Sequence, residues 1–245
     1  MHTGKRIAVV TGGSSGIGFG IASALIKSSY EVVIIGRDEK RLIDATLKLG
    51  SSARWRKADV SHWDEVSEAI SVLDRVDVLV NAAGFIKPVS LATPIQDAEA
   101  DWDAVINANL KGSFLMAKAV APLLSSPGGR IINISSIGAQ TGGSKPGGLA
   151  YASAKAGLHG LTFALARELS PKGITANAIA PGFIADTGFT GSWPTERIAE
   201  IVAETPAGRA GTPDDIAGAI IWLASEAGAF VTGTIIPING GWRMG

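Results

Sequence analysis

The sequence predicts a single α/β domain, doubly wound, with a parallel sheet covered by helices on both faces, and three observations carry that expectation. Short apolar runs such as Ile7-Ala-Val-Val-Thr11 and Glu31-Val-Val-Ile-Ile35 do not alternate with polar residues, which is how strands buried on both faces read. A glycine-rich turn, Gly12-Gly-Ser-Ser-Gly16-Ile-Gly18, joins the first such run to a segment with helical spacing. No internal repeat, linker or low-complexity tract divides the 245 residues, so residues 1–245 are read as one unit. A chain of this length buries roughly 70–75% of its unfolded surface.

Composition removes several classes of function. Lys+Arg and Asp+Glu both number 22, and no basic run is available to neutralise a row of phosphates, so nucleic acid is not an expected partner. No apolar run approaches the ~18 residues of a membrane span. The N-terminus shows no cleavage-site pattern, and a cytoplasmic protein is expected. Cysteine is absent, which excludes disulfides, a thiol nucleophile and a thiolate metal site. His2, His62 and His159 stand apart in the sequence. They are read as ordinary surface or core residues, with no metal expected.

In chain order, Ile7–Thr11 ends in the glycine turn, after which Ile21, Ala22, Leu25 and Ile26 repeat at helical spacing. Glycines let a backbone approach a phosphate closely, and a helix N-terminus turns unpaired N–H groups and a positive dipole end toward it. The second strand, Glu31–Ile35, leads into Gly36-Arg37-Asp38. At this strand end a dinucleotide fold meets the adenosine ribose, where a carboxylate suits NAD and an arginine accommodates the 2′-phosphate of NADP. Gly36 is not acidic and Arg37 is next, so NADP(H) is the expected cofactor. Asp38 is expected to cap the following helix.

Arg54–Ala58 and Asp77–Val80 read as the third and fourth strands, the latter running into Asn81-Ala-Ala-Gly84. A long helix is expected from about Asp101 through Leu124, carrying Asn107 and Asn109. An asparagine has mediocre helix propensity, so a buried one there serves some other backbone group. The fifth strand, Arg130–Ser136, brings Ser135 and Ser136 to the carboxyl ends of the strands, where ligands of open parallel sheets lie. In the next helix, Ala150–Leu169, Tyr151 and Lys155 stack on one face. A tyrosine ionises near ~10 and is a poor acid or base at neutral pH unless a fixed positive charge favours its phenolate. Lys155 is placed to supply that charge.

The sixth strand, Gly173–Ala180, continues into Pro181-Gly182-Phe183-Ile184. Residues from about 183 to 205, with Phe183, Phe189 and Trp193 in a glycine-interrupted stretch, are read as a substrate lid with an apolar underside, with core packing of the aromatics as the alternative. Thr212 is an N-cap, Pro213 occupies the first helical position, and Asp214 and Asp215 lie by the positive dipole end of the last helix. Pro237 in the closing strand Thr232–Gly241 cannot donate to a ladder, so that strand belongs on a sheet edge.

The spacing Thr11-Gly-x-x-x-Gly16-x-Gly18, the segment Asn81-Ala-Ala-Gly84, the pair Asn109-Leu110, the serines after the fifth strand and Tyr151-x-x-x-Lys155 together resemble the short-chain dehydrogenase/reductase family. The resemblance extends over essentially the whole chain, and its C-terminal half looks most like the 3-oxoacyl-[acyl-carrier-protein] reductases and similar bacterial ketoreductases. It implies a Rossmann fold with strand order 3-2-1-4-5-6-7, a homotetramer that buries the closing strand, and reversible carbonyl reduction. Under it, Thr11, Gly12, Ser14, Ser15, Gly16, Ile17 and Gly18 cradle the pyrophosphate of NADP(H), and Arg37 meets its 2′-phosphate. Asp59 hydrogen-bonds the adenine, with Val60 beside it. Asn81, Ala82 and Gly84 let the backbone pass close to the cofactor, Asn81 mainly by tying strands together. Pro181, Gly182 and Ile184 pass the nicotinamide, and Thr187 reaches the diphosphate. Tyr151 is the acid/base and Ser136 positions the substrate oxygen. Lys155 favours the phenolate and holds the nicotinamide ribose, and Asn109 holds a water that connects Lys155 to solvent.

The chain departs from the family pattern at three places. Ser136 precedes Tyr151 by 15 residues, two more than is usual, which lengthens the loop Gly142–Gly148. Ser136, not Ser144 within that loop, is the expected catalytic serine. The family's threonine position after the nicotinamide loop holds Asp186, with Thr187 one residue later. Relatives that grip an acidic carrier protein place basic residues before the fifth strand and after the active-site helix. Here Ser125-Ser-Pro-Gly-Gly129 and Lys172 stand there, so a small ketone joins a 3-oxoacyl thioester as expected substrate. An NAD-linked alcohol, sugar or steroid dehydrogenase, or a nucleotide-binding regulator without turnover, are the alternatives.

Overall fold

The computed structural model describes residues 5–143, 145–185, 187–188 and 193–244. Its centre is one parallel sheet built from β1 (Arg6–Thr11), β2 (Tyr30–Gly36), β3 (Ala53–Lys57), β4 (Val78–Asn81), β5 (Arg130–Ile134), β6 (Thr175–Pro181) and β7 (Ile235–Ile238). The strands lie in the order β3-β2-β1-β4-β5-β6-β7, the expected order. The reversal between β1 and β4 is the switch point at which such sheets open a crevice for ligands.

Side chains alternate across the sheet because successive Cβ atoms point to opposite faces. Ala8, Val10, Val32, Ile34, Val80 and Ile132 face one side, where they pack on α1 (Gly16–Lys27), α2 (Glu39–Leu49) and α9 (Pro213–Leu223). Val9, Val33, Ile35, Leu79 and Ile131 face the other, against α3 (Trp63–Ile70), α5 (Gly112–Val120) and the C-terminal half of α7 (Leu149–Leu169). The two cores account for the unbroken apolar runs. At the edges the pattern changes: β3 is the largely polar Ala-Arg-Trp-Arg-Lys, and β7 carries Pro237 on the open side.

Two helix ends follow their sequence signals. The Asp38 side chain accepts from the Arg41 amide at 3.0 Å. Thr212 and Asp215 form a reciprocal capping box with Pro213 in the first turn.

The helix expected over Asp101–Leu124 differs from expectation. It starts earlier, as α4 (Ile95–Ile106) behind Pro94, and is interrupted by a π-turn at Asn107–Lys111 before α5. Its beginning carries no polar cap, since Pro94 occupies that place, and side-chain pattern does not reveal a wider turn. A short α6 (Gly138–Thr141) forms between the fifth strand and the Gly142–Gly148 loop, where the sequence reading placed no element, and α8 (Thr195–Glu204) adds helical structure to the segment read as lid. Ser144, Asp186 and Phe189 lie outside the described residues.

Candidate active site

The carboxyl ends of β1, β4, β5 and β6 converge on one crevice. Thr11 closes β1, and its hydroxyl accepts the amides of Ala82 and Ala83, both at 3.0 Å. This expected cofactor residue therefore clamps the loop after β4 to the loop after β1. A Cβ on Gly18 would fall on the Gly12 carbonyl, so α1 starts this close to the turn only with glycine there. Ser15 is the N-cap of α1, and its side chain makes no cap hydrogen bond. The first N–H groups of the helix thus have no side-chain cap at Ser15, beside Ser14, Gly16 and Ile17, and suit an anion. Thr187, almost fully buried, lies against Gly16 of the glycine turn.

At the end of β2, the Arg37 guanidinium sits 3.7 Å from the Asp59 carboxylate and 5.5 Å from the centre of the Phe85 ring. Burial pushes the Asp59 pKa up, but the hydrogen bonds from the Ser61 hydroxyl and amide, with the charges of Arg37 and His62, outweigh it and leave it below its ordinary value. Arg37 keeps 64% of its side chain exposed, in reach of a ligand. Val60 is buried beside Gly112.

Behind this rim lies a polar seam. Asn81 donates to Asn133 Oδ1 at 2.9 Å and to the Ser113 carbonyl, and Asn133 donates to Thr162 at 2.9 Å. The seam ties β4, β5 and α7 together, the strand-tying expected of Asn81. The π-turn presents Asn109, whose Nδ2 donates to the carbonyls of Phe85 and Val105, both at 2.9 Å. Its Oδ1 is buried with no hydrogen-bond partner among the described residues. Gly84 faces that oxygen, and the Lys155 Nζ lies 3.5 Å from where a Gly84 Cβ would stand.

Ser136 Oγ accepts the Gly138 amide at 3.0 Å. Burial pushes the Tyr151 phenol up to about 12, against a smaller downward pull from its hydrogen bond with the Ser136 side chain. Lys155, one turn on, is 4% exposed and donates to the Ile134 carbonyl at 2.8 Å. Its Nζ lies 5.7 Å from the centre of the Tyr151 ring, and burial lowers its pKa to about 8. At neutral pH the pair is a protonated phenol beside an ammonium; the expectation that the Lys155 charge would favour the phenolate is not met here, because burial outweighs every downward pull and only the Ser136 hydrogen bond opposes it.

Pro181 ends β6, and its carbonyl accepts the Ile137 amide at 3.0 Å. Gly182 packs against Asn239, and Ile184 bridges to Gly211. Phe183 and Trp193 pair at 5.6 Å between ring centres, the two described aromatics of the expected lid. The C-terminal Arg243 donates to Gln140 Oε1 at 2.5 Å, bracing α6 on the same side.

The structure thus brings Asn109, Ser136, Tyr151 and Lys155 to one crevice beside the glycine turn, and the tight turn and the uncapped start of α1 fit a dinucleotide. Three contributors escaped the sequence reading. The π-turn that aims Asn109 has no residue signature, and Arg243–Gln140 joins positions 103 residues apart. His159, read as ordinary, has the spacing signal that was available: it follows Lys155 by four residues on the same helix face.

Residues 12–243 match the family model described as enoyl-(acyl carrier protein) reductase. The acetoacetyl-CoA reductase of Cupriavidus necator is 40% identical, with the match covering 98% of this chain and 99% of that protein. A 3-oxoacyl-[acyl-carrier-protein] reductase of Synechocystis sp. is also 40% identical, over 98% of this chain and 97% of its own length. A crystal structure of a short-chain dehydrogenase/reductase described as glucose/ribitol dehydrogenase, from Brucella melitensis, superposes with a TM-score of 0.90 at 32% identity, covering 98% of this chain and 97% of that one. With these matches spanning nearly its full length and the sheet order in hand, the chain belongs to the short-chain dehydrogenase/reductase family of oxidoreductases.

Proposed function

We propose that this oxidoreductase uses NADP(H) to reduce the carbonyl of a 3-oxoacyl thioester or a small ketone to the alcohol. The observation that carries the reading is the contiguous set Ser136, Tyr151 and Lys155, with a half-buried protonated phenol beside a buried ammonium. The bound cofactor supplies a hydride to the carbonyl carbon. Ser136, its hydroxyl oriented by the Gly138 amide, donates a hydrogen bond to the carbonyl oxygen. Tyr151 gives that oxygen its proton as negative charge develops on it. The Lys155 ammonium then stabilises the phenolate and holds the nicotinamide ribose. Asn109 Oδ1, buried and without a protein partner among the described residues, accepts from a water that relays protons toward Lys155.

Arg37, largely exposed at the ribose end, supports NADP(H) over NAD(H) and disfavours the alternative of an NAD-linked dehydrogenase working toward oxidation. The thioester substrates named for the two 40% identical relatives support the 3-oxoacyl reading. Single basic Lys172 in the carrier-docking positions favours a thioester of a small carrier or a free ketone over an acidic protein. A regulator without turnover would not need all four side chains in one crevice. The proposed setting is cytoplasmic, as a homotetramer; among the described residues no helix is long and apolar enough to cross a membrane.

The test follows NADPH absorbance with acetoacetyl-CoA and a panel of small ketones. Turnover is expected with at least one of them, higher kcat/KM for NADPH than NADH, and a fall of about 10²–10⁴ in kcat for Tyr151→Phe with NADPH binding retained. A Tyr151→Phe variant keeping most of its activity, or a preference for NADH, overturns the corresponding part.

A further inference from the structure

We propose that His159 is a positioning residue for Lys155, acting through the hydroxyl of Ser135. Tyr151, Lys155 and His159 follow one another at four-residue intervals on α7 and so share one face of that helix. Opposite them, two serines with separate tasks follow directly after β5. Ser136 is hydrogen-bonded to Tyr151. Ser135, 3% exposed, contacts the carbonyl of Lys155 at 3.1 Å and His159 Nε2 at 2.9 Å.

Lys155 is thereby held to β5 at two points. Its Nζ donates to the carbonyl of Ile134 at 2.8 Å, and its own carbonyl accepts from the hydroxyl of the next residue, Ser135. The first contact fixes the end of the side chain and the second fixes the backbone from which it springs. Ser135 N in turn donates to the Ile179 carbonyl at 2.7 Å, so the clamp is anchored in the sheet through β6.

A serine hydroxyl has one proton and two acceptor lone pairs. If that proton goes to the Lys155 carbonyl, His159 Nε2 must carry a hydrogen and donate to Ser135. If it goes to His159, the Lys155 carbonyl keeps only its helical N–H partner, and the second point of the clamp opens. Only the Nε2–H tautomer satisfies both contacts at once, and the imidazole therefore decides which way the hydroxyl points. His159 is half-buried, and burial lowers its pKa, so it is neutral at pH 7 and its tautomer is a real choice. The inference rests on the proposed role of Lys155 beside Tyr151, and on no contact between His159 and substrate.

The test compares His159→Leu, His159→Gln, Ser135→Ala and the double variant His159→Leu/Ser135→Ala, with Tyr151→Phe alongside. His159→Leu, which cannot donate, is expected to lower kcat about tenfold with little change in KM for the ketone, and to move the alkaline limb of the pH–rate profile. His159→Gln, whose amide can donate, restores most of kcat. In the double variant the histidine change costs nothing beyond Ser135→Ala, because the two act through one hydroxyl. A wild-type rate and limb for His159→Leu, or losses that multiply in the double variant, overturn the proposal. A second measurement is independent of turnover: ¹⁵N NMR of His159 is expected to show the Nε2–H tautomer, and the Nδ1–H tautomer overturns the proposal even if every variant folds poorly. Should the wild-type chain reduce none of the carbonyls, the proposed function fails while the tautomer still reports on the clamp. Loss of activity in Tyr151→Phe with none in His159→Leu fails the clamp alone.

Discussion

The space that a Cβ on Gly84 would occupy is filled by the side-chain oxygen of Asn109. Asn109 cannot move aside cheaply, because its amide nitrogen holds the carbonyls of Phe85 and Val105. The loop after β4 and the π-turn are thus interlocked beside Lys155. Gly84→Ala is expected to push Asn109 out of register, with a cost of about 1–3 kcal/mol in stability from overpacking and a larger relative loss in kcat. Urea melts and steady-state rates on the same samples check it; an alanine variant with wild-type kcat would show that the Asn109 oxygen has no part in turnover.

The pH dependence follows from Lys155. Burial lowers its folded pKa to about 8 from 10.5, so the ammonium is present below pH 8 and is lost as pH rises through it. Carbonyl reduction is expected to fall on the alkaline side from about pH 8, since the departing phenolate then lacks its neighbouring charge. The stability effect has the opposite sense. Between pH 8 and 10.5 the unfolded chain binds more protons at this residue than the folded one, so stability rises with pH across that window. The Tyr151 phenol, raised from 10.0 to about 12, works against it only above pH 10. Denaturant melts at pH 7 and pH 9.5 are expected to show a gain in the wild type that is missing in Lys155→Met.

Arg37 stands 3.7 Å from Asp59 with most of its side chain in solvent. A hydrogen bond to a charged group is worth about 1.5–3 kcal/mol, so Arg37→Ser should raise KM for NADPH by about tenfold or more. The rate with NADH should change little, because no 2′-phosphate is then missed. Paired kcat/KM values for the two cofactors decide the matter, and an equal loss with both would assign Arg37 to the shape of the Phe85 loop instead.

The fold was legible because each of its signals is local. Unbroken apolar runs mark strands with helices on both faces, and Gly12–Gly18 sits where a strand meets a helix. Pro237 placed β7 on the edge before any pairing was known. The site was legible as far as side chains on one element carry it: Tyr151 and Lys155 share a helix face, and Ser135 and Ser136 directly follow one strand. What the sequence hid depends on backbone geometry or distance along the chain. A π-turn leaves no mark in residue type, so Asn109 could be named but not aimed. Thr11 was expected at the cofactor, whereas its hydroxyl is spent on the amides of Ala82 and Ala83, residues 71 and 72 positions away. His159 carried a helical spacing that has meaning only once Ser135 is seen opposite it.

The edge at β7 bears on assembly. β7 ends the sheet with a short apolar strand, and close to it in sequence Phe230 is fully exposed while Trp222 on α9 is 42% exposed. An open apolar strand edge is a template for pairing, and closed symmetric assemblies are the usual way oligomers cover one. The proposed homotetramer buries this region across a two-fold axis. Light scattering coupled to size exclusion is expected to give four times the 25.1 kDa chain mass, and Phe230→Asp combined with Trp222→Ser should shift the population to smaller species. The crevice lies at the carboxyl ends of the strands, with its residues drawn from β1, β4, β5 and α7. The dissociated variant should therefore still bind NADPH if the fold is retained. A wild-type chain that runs as a stable monomer would refute the assembly and leave Phe230 without a structural reason for its exposure.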